Sequence, residues 1–270
     1  MRLGPIEFVT PPLVEGPKIM FYVPVPEALK ETPFVLEKLG GGYGLPVTAT
    51  VTSTWFIMLV LFIIFNSGTK DLKLIPNKLQ TGLEYLYSFL DDLVEQMLGK
   101  WKVRYISYIA PLFIFILFSN TLSFFPIPSI TVANGIVNIV PAFRSPTADL
   151  NTTVGLALLT TFTFLSTSFR CHGFVGHIKT LFEPMPFMFP INLVGELAKP
   201  TNISIRLFGN MFAGMVIIGL IYKAAPAVVP APLHLYFDIF SGIVQSFVFV
   251  MLSLVYIQGA LGDTEFDENL

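Results

Sequence analysis

Along this chain the apolar positions fall into long blocks separated by short polar stretches. The first block covers 47–65, is rich in Thr, Val, Phe and Ile, and ends at Asn66-Ser-Gly-Thr-Lys70. A second, 105–125, contains Pro111 and Asn120, and a third covers 149–169. Two longer blocks, 187–222 and 233–261, come last, with three prolines between them in 224–232. A bilayer core takes about 20 helical residues, so all five blocks predict membrane-embedded helices. The last two are longer than a straight crossing needs. They either kink, with Pro190 and Pro200 available in the first, or lie strongly tilted. Joined by the proline-rich turn, they predict a long hairpin over about 187–261 that presents one flank to a partner protein.

One segment follows a different pattern. In 71–102, Leu79, Leu83, Leu86, Leu90, Val94 and Met97 recur at spacings of three or four, with Glu84, Asp91, Asp92 and Glu95 between them. That is an amphipathic helix, started by Pro76, with too many charges to span. It belongs at the interface or against a neighbour. The segment after Pro126 and Pro128, up to Pro146, reads as a loop, and 170–186 as a polar turn holding His172 and His177. The fold class is therefore an all-α integral membrane protein of five embedded helices plus one amphipathic interfacial helix. Residues 1–46 form an extracytoplasmic arm, 47–261 the membrane domain and 262–270 an acidic, mobile tail.

Composition agrees. Only 13% of the 270 residues are charged and 53% are hydrophobic, whereas a soluble domain carries about 25% charged residues. A net charge of −2 gives no case for a nucleic-acid partner. The single cysteine, Cys171, allows no internal disulfide and reads as a small filler near a helix end. The start has no apolar h-region of a cleavable signal peptide. No internal repeat appears, which disfavours an inverted-repeat transporter. Lys70, Lys73, Lys78, Lys100, Lys102 and Arg104 crowd 66–104, and Arg170 and Lys179 follow in 170–186, whereas the opposite short loops hold Arg144 and Lys223. The positive-inside rule then puts the N-terminus outside and the C-terminus in the cytoplasm of a bacterial inner membrane.

Within the first long block, Asn192, Glu196, Lys199, Asn202, Arg206 and Asn210 follow one another at three- and four-residue steps, which places them on one helical stripe. Asp238, Ser241, Gln245, Phe249, Ser253 and Tyr256 trace a weaker stripe on the last helix. Interhelical polar glue accounts for most such residues, including Asn202, Asn210, Ser241 and Ser253. Arg206 is different. A full charge at bilayer depth costs several kcal/mol and marks a functional site by default.

The run Lys199-Pro200, Arg206-Leu-Phe-Gly-Asn210-Met211, Ala213-Gly214 resembles the signature of subunit a of F-type ATP synthases. Pro146-Thr-Ala-Asp149-Leu-Asn151-Thr-Thr, Phe115-Ile-Leu-Phe-Ser119-Asn120 and Gln245-x-Phe247-x-Phe249-x-Met251-Leu extend the resemblance over about 47–261. It implies the stator of a rotary motor, held against a ring of c subunits and joined by peripheral-stalk b subunits and the remainder of the synthase. By the motif, Arg206 separates two half-channels that load and unload ring carboxylates with H+ or Na+. Glu196 and Asn192 would line the cytoplasmic path. Asn210, Asp238 and Gln245 would line the outer one, with Asp149 and Asn151 at the outer end of the third span. A guanidinium stays charged, so an arriving carboxylate is driven to its ionised form and passes the arginine only when empty. Many proton-translocating members carry Glu or His where this chain has Met215, so Asp238 is expected to lack its relay partner. The coupling ion stays open between H+ and Na+. The chain is expected to catalyse nothing alone and to hold no cofactor or resident metal.

Two other readings compete. A stand-alone channel or secondary transporter could use Arg206 to bind an anion, and would be stable without a c ring. A structural scaffold would tolerate Arg206→Ala. His172 and His177 lie five apart, off the four-residue step of a helical ligand pair. His234 reads as interfacial beside the hairpin turn, with a place at the outer channel mouth as the other option.

Overall fold

The computed structural model describes residues 19–24, 36–37, 43–70, 72, 76–124, 128–133, 136–141, 145–182, 185–224 and 230–262. The acidic tail after Gly262, the hairpin turn 225–229 and most of the N-terminal arm lie outside the described residues. Five helices are long and apolar enough to cross a membrane. They belong to α1 (Ala49–Thr69), α3 (Lys102–Thr121), α4 (Leu150–Leu181), α5 (Phe189–Ala224) and α7 (Ser241–Leu261). α2 (Lys78–Leu98) is the amphipathic helix, and α6 (Pro230–His234) opens the return arm of the hairpin.

The core sits among α2, α3, α4 and α7. Leu90 and Val94 of α2, Ile109 of α3, Phe164 of α4 and Leu254 and Ile257 of α7 are almost fully enclosed together. A second cluster joins α5 to this body through Ile203 and Leu207, packed with Leu112, Ile116, Ala157 and Phe249. α2 thus lies with its leucine face on its neighbours and leaves Tyr85, Tyr87 and Phe89 exposed. Lys102, at the start of α3, pairs with Asp91 at 3.0 Å and Glu95 at 2.6 Å and ties the two helices at their junction. α1 is peripheral, with Trp55, Met58, Leu59, Phe62 and Ile63 exposed as a lipid-facing helix requires.

Three differences from the sequence expectations stand out. The segment 170–186 is not a turn. α4 runs on to Leu181, and the chain changes direction inside it at Gly173, where φ is 70° and ψ is 169°. That backbone region is essentially reserved for glycine. His177, beyond the bend, turns back to place Nδ1 2.7 Å from Ser168 Oγ.

The segment after the second span also holds more than a loop. β4 (Pro128–Ala133) and β5 (Ile136–Pro141) pair antiparallel, with Ala133 opposite Ile136. The arm likewise carries a three-stranded sheet, in which β3 (Tyr43–Thr48) lies between β1 (Ile19–Pro24) and β2 (Leu36–Glu37). The membrane body itself is all helical.

Beyond these, the long block 187–222 forms one continuous helix, with Pro190 in the first turn of α5 and Pro200 inside it. Pro111 lies within α3. Pro200 has no N–H to give the Glu196 carbonyl one turn earlier, and such a freed group is tolerated where neighbours or water satisfy it.

Candidate functional site

The stripe predicted on α5 does form one face, but its members have different neighbours. Asn192 Nδ2 donates to the Leu181 carbonyl at 2.9 Å, fastening the start of α5 to the end of α4. Glu196 Oε1 accepts from Lys199 Nζ at 2.5 Å, while Glu196 Oε2 is buried with no hydrogen-bond partner. The Lys199 ammonium also stands 5.0 Å from the centre of the Phe164 ring and 5.8 Å from that of Tyr256. Asn202 Nδ2 reaches the Tyr256 hydroxyl at 3.4 Å, and Asn210 Nδ2 reaches Gln245 Oε1 at 3.5 Å. Both asparagines therefore link α5 to α7 as polar glue does.

Arg206 lies one turn before Asn210 on α5 and takes no part in these contacts. It is exposed, and among the described residues it has no hydrogen bond and no ion pair. Around it the exposed side of α5 is built from Ala198, Thr201, Asn202, Ile205 and Ala213, with the partly exposed Gly209 between. Nothing lies within 4 Å of where a Cβ on Gly209 would be. Small residues at this face let another helix come close. Behind it, Gln245 is only 5% exposed and its Nε2 is buried without a partner. Gln245 contacts Asn210, one turn after Arg206 on α5, and an amide donor and a guanidinium both suit an anion.

Gln245 is held from the far side. Asn120, fully buried on α3, donates through Nδ2 to the Gly242 carbonyl at 3.1 Å and to Ser246 Oγ at 3.2 Å. Its Oδ1 accepts from Thr147 Oγ1 at 2.6 Å. Sequence reasoning placed Asn120 only in a motif. Its partners lie 27, 122 and 126 positions along the chain, so no local spacing betrays them.

Asp149 is the N-cap of α4. Its Oδ1 accepts from the Asn151 N–H at 3.0 Å and its Oδ2 from Thr50 Oγ1 at 3.0 Å, which anchors α1. Capping of this kind contributes about 1 kcal/mol.

Met215 offers Asp238 no titratable group, yet Asp238 has a partner on its own arm of the hairpin. Asp238 is 8% exposed and lies in a π-helical stretch, Leu235–Phe240, between α6 and α7. Its Oδ2 is 2.6 Å from Nδ1 of His234, one turn earlier. The four-residue step from His234 to Asp238 was visible in the sequence. It escapes notice when the partner is sought across the hairpin at Met215.

A family profile described as ATP synthase A chain matches residues 51–258. Among characterised proteins, the chain is similar to the sodium ion specific ATP synthase subunit a of Propionigenium modestum, at 64% identity over 267 residues, covering 99% of this chain and 92% of that one. It is also similar to ATP synthase subunit a of Moorella thermoacetica, at 36% identity over 79% of this chain and 90% of that one. The chloroplastic subunit a of Stigeoclonium helveticum is 33% identical over 82% of this chain and 87% of its own length.

Proposed function

The chain belongs to the ATP synthase A-chain family, and on that premise we propose that it is a sodium-translocating stator whose Arg206 separates two ion half-channels. The observation that carries this reading is the exposure of Arg206. It is a permanent cation in the middle of a membrane helix, with no partner among the described residues of its own chain. Leaving such a charge to lipid costs about 2.5–3.5 kcal/mol even on the gentlest insertion scale. A carboxylate on an adjoining rotating ring removes that penalty, and the small-residue face around Arg206 gives a ring helix room to approach. This is the face for the c ring. The exposed apolar sides of α1 and α2 are left for lipid and peripheral-stalk b subunits.

The ion follows the polar walls on either side of the arginine. On the cytoplasmic side, Asn192 and Glu196 line the path, and Glu196 Oε2 is a free acceptor for a cation. On the outer side, Asp238, Gln245 and Asn210 lead inward, with Asp149 at the outer end of α4. A ring carboxylate that reaches Arg206 with its ion releases it, because the fixed positive charge favours the ionised form. The empty carboxylate then passes, and no ion crosses directly between the paths. Sodium is assigned because the Propionigenium modestum protein, 64% identical over 99% of this chain, carries that specificity in its name. The membrane potential supplies about 2.3 kcal/mol per elementary charge per 100 mV.

The test is ATP-driven sodium uptake by the reconstituted complex with a protonophore present. Uptake that persists in the wild type and disappears in Arg206→Ala supports the reading. Acidification without sodium replaces sodium by protons. An Arg206→Ala complex that transports like the wild type refutes the role given to the arginine.

A further inference from the structure

Three titratable side chains meet where α5 passes over to the return arm of the hairpin. Tyr222, near the end of α5, places its hydroxyl 3.1 Å from His234 Nε2. His234 Nδ1 is 2.6 Å from Asp238 Oδ2. Both ring nitrogens are thus engaged, one by a phenol from the facing helix and one by a carboxylate of its own. For a neutral ring the pattern fixes the tautomer: Nδ1–H donates to Asp238, and Nε2 accepts from the Tyr222 O–H.

The exposures are ordered. The His234 side chain is 30% exposed and that of Asp238 11%. The imidazole is therefore the outer member of the pair and the carboxylate the inner one. On the α5 side, Phe237 packs against Gly214, where an added Cβ would lie 3.1–3.3 Å from the Phe237 side chain, so that flank is closed. A π-helical turn of this kind is rare and concentrates at functional sites.

We propose that His234 is a gate on the sodium access path, exposing the charge of Asp238 to the cation when the imidazole is neutral and cancelling it when the imidazole is protonated. The proposal rests on the reading of Asp238 as part of the outer path. With a neutral ring, the carboxylate keeps its full negative charge beside the more exposed imidazole, and that charge attracts a cation. With a protonated ring, both nitrogens donate, the pair carries no net charge, and the attraction is gone. Histidine is the side chain that ordinarily changes charge between about pH 5 and 8.

Among the described residues, few other titratable groups compete. The titratable group facing the pair from α5 is Tyr222, and Lys223 is next in sequence. The π stretch itself adds Tyr236, whose ring stacks against Phe240. The nearest parts of α3 and the turn after it, 120–124, and of α7, 241–245, contain no titratable residue.

The test uses the intact synthase in liposomes with its catalytic head outward, so that the outer path opens to the lumen. ATP synthesis is driven by a potassium diffusion potential, with lumen sodium titrated at lumen pH 5.5 and 8.5 and external pH fixed. The ring carboxylate also responds to pH, so the decisive quantity is the acid-to-alkaline ratio of half-saturating sodium, compared between wild type and variant. In the wild type this ratio is expected to exceed that of His234→Gln by about tenfold, because only the wild type loses the Asp238 charge in acid. Asp238→Asn is expected to lose the same excess and to need more sodium at pH 8.5. It decides the matter if His234→Gln does not assemble. Equal ratios in wild type, His234→Gln and Asp238→Asn overturn the gate. Arg206→Ala separates the two levels: if it abolishes synthesis at both pH values while the ratios are equal, the gate falls and the stator reading stands. If Arg206→Ala synthesises normally, the stator reading falls with it.

Discussion

Replacing Asn120 by alanine tests whether the position of α7 is set by one buried side chain. Asn120 is 0% exposed and makes three side-chain hydrogen bonds, to Thr147, the Gly242 carbonyl and Ser246. Alanine removes all three. Their former partners keep other bonds: Thr147 pairs with Ser145 at 2.7 Å, and Ser246 donates to the Gly242 carbonyl at 2.8 Å. No buried group is orphaned, so the loss is that of the bonds themselves and not the larger desolvation penalty of an unsatisfied group. Side-chain bonds between membrane helices average about 0.6 kcal/mol and reach about 1.7, so three amount to about 2 kcal/mol, with about 5 as the ceiling.

The functional effect is expected to exceed what that loss suggests. Gly242 and Ser246 flank Gln245, and α7 approaches α3 so closely here that a Cβ on Gly242 would lie 3.1 Å from Asn120 Cβ. A shift of α7 moves Gln245 away from Asn210 and from the turn bearing Arg206. Sodium uptake by the reconstituted complex, with its heat inactivation measured in parallel, is the assay. Asn120→Asp should be worse than Asn120→Ala, because it sets a carboxylate oxygen against the Gly242 carbonyl. The control is Thr121→Ala, whose hydroxyl bonds only the Leu117 carbonyl of its own helix and whose loss should stay within about 0.5 kcal/mol. If Asn120→Ala and Thr121→Ala behave alike in both uptake and heat resistance, the clamp does not position α7.

Other substitutions read other parts of the structure. Arg206→Lys keeps the charge but loses the planar donor fork, and is expected to lower sodium uptake by at least about tenfold; uptake at the wild-type rate would show that charge alone suffices. Gly173→Ala forces a side chain into backbone at φ 70°, ψ 169°, at a cost of about 1–3 kcal/mol, seen as earlier heat inactivation of the complex. Tyr105→Phe removes a 2.7 Å contact to Thr167, which keeps its own bond to the Thr163 carbonyl, so a change of about 0.6 kcal/mol is expected in the same measurement. Leu254→Ala, at 0% exposure in the main cluster, should cost about 2–5 kcal/mol, and the order of these two variants checks whether packing outweighs hydroxyl pairing.

What the sequence revealed and what it hid divide along physical lines. Apolar blocks report burial in lipid or protein, so the five long helices were legible, as was α2 from its leucine period. Arg206 was legible because its cost is local and its sequence neighbours are apolar. The stretch after Arg170 misled because polarity alone does not end a helix outside the bilayer, and Gly173 bends the chain without stopping it. Asn134-Gly135 lies between two runs rich in Ile and Val and is a hairpin signal, which the polar residues and prolines around it disguise as a loop. The pairing of β1 with β3 joins segments some twenty positions apart and has no periodic signature. The Asn120 clamp is longer in range still. A polar residue inside a span announces that it has a partner, and only the fold says which.

The unsatisfied groups are themselves an argument about the ion path. Most hydroxyls on the membrane helices are absorbed within their own helix: Thr54, Thr161, Thr201 and Ser253 each donate to the carbonyl four residues earlier. Against that background, the described residues leave three buried side-chain atoms without partners, and two of them, Glu196 Oε2 and Gln245 Nε2, belong to the helical hairpin that carries Arg206. Their chemistry is opposite in sense. Glu196 offers an acceptor, which suits a cation. Gln245 offers a donor beside the turn that bears the guanidinium, which suits an anion. Glu196 and Arg206 are ten residues apart, about 15 Å along α5. A path for a sodium ion needs oxygen along its walls, and the point that stops it needs donors and positive charge where the ring carboxylate comes to rest. One acceptor on α5 and one donor on α7 thus complement the two species proposed to meet at this hairpin.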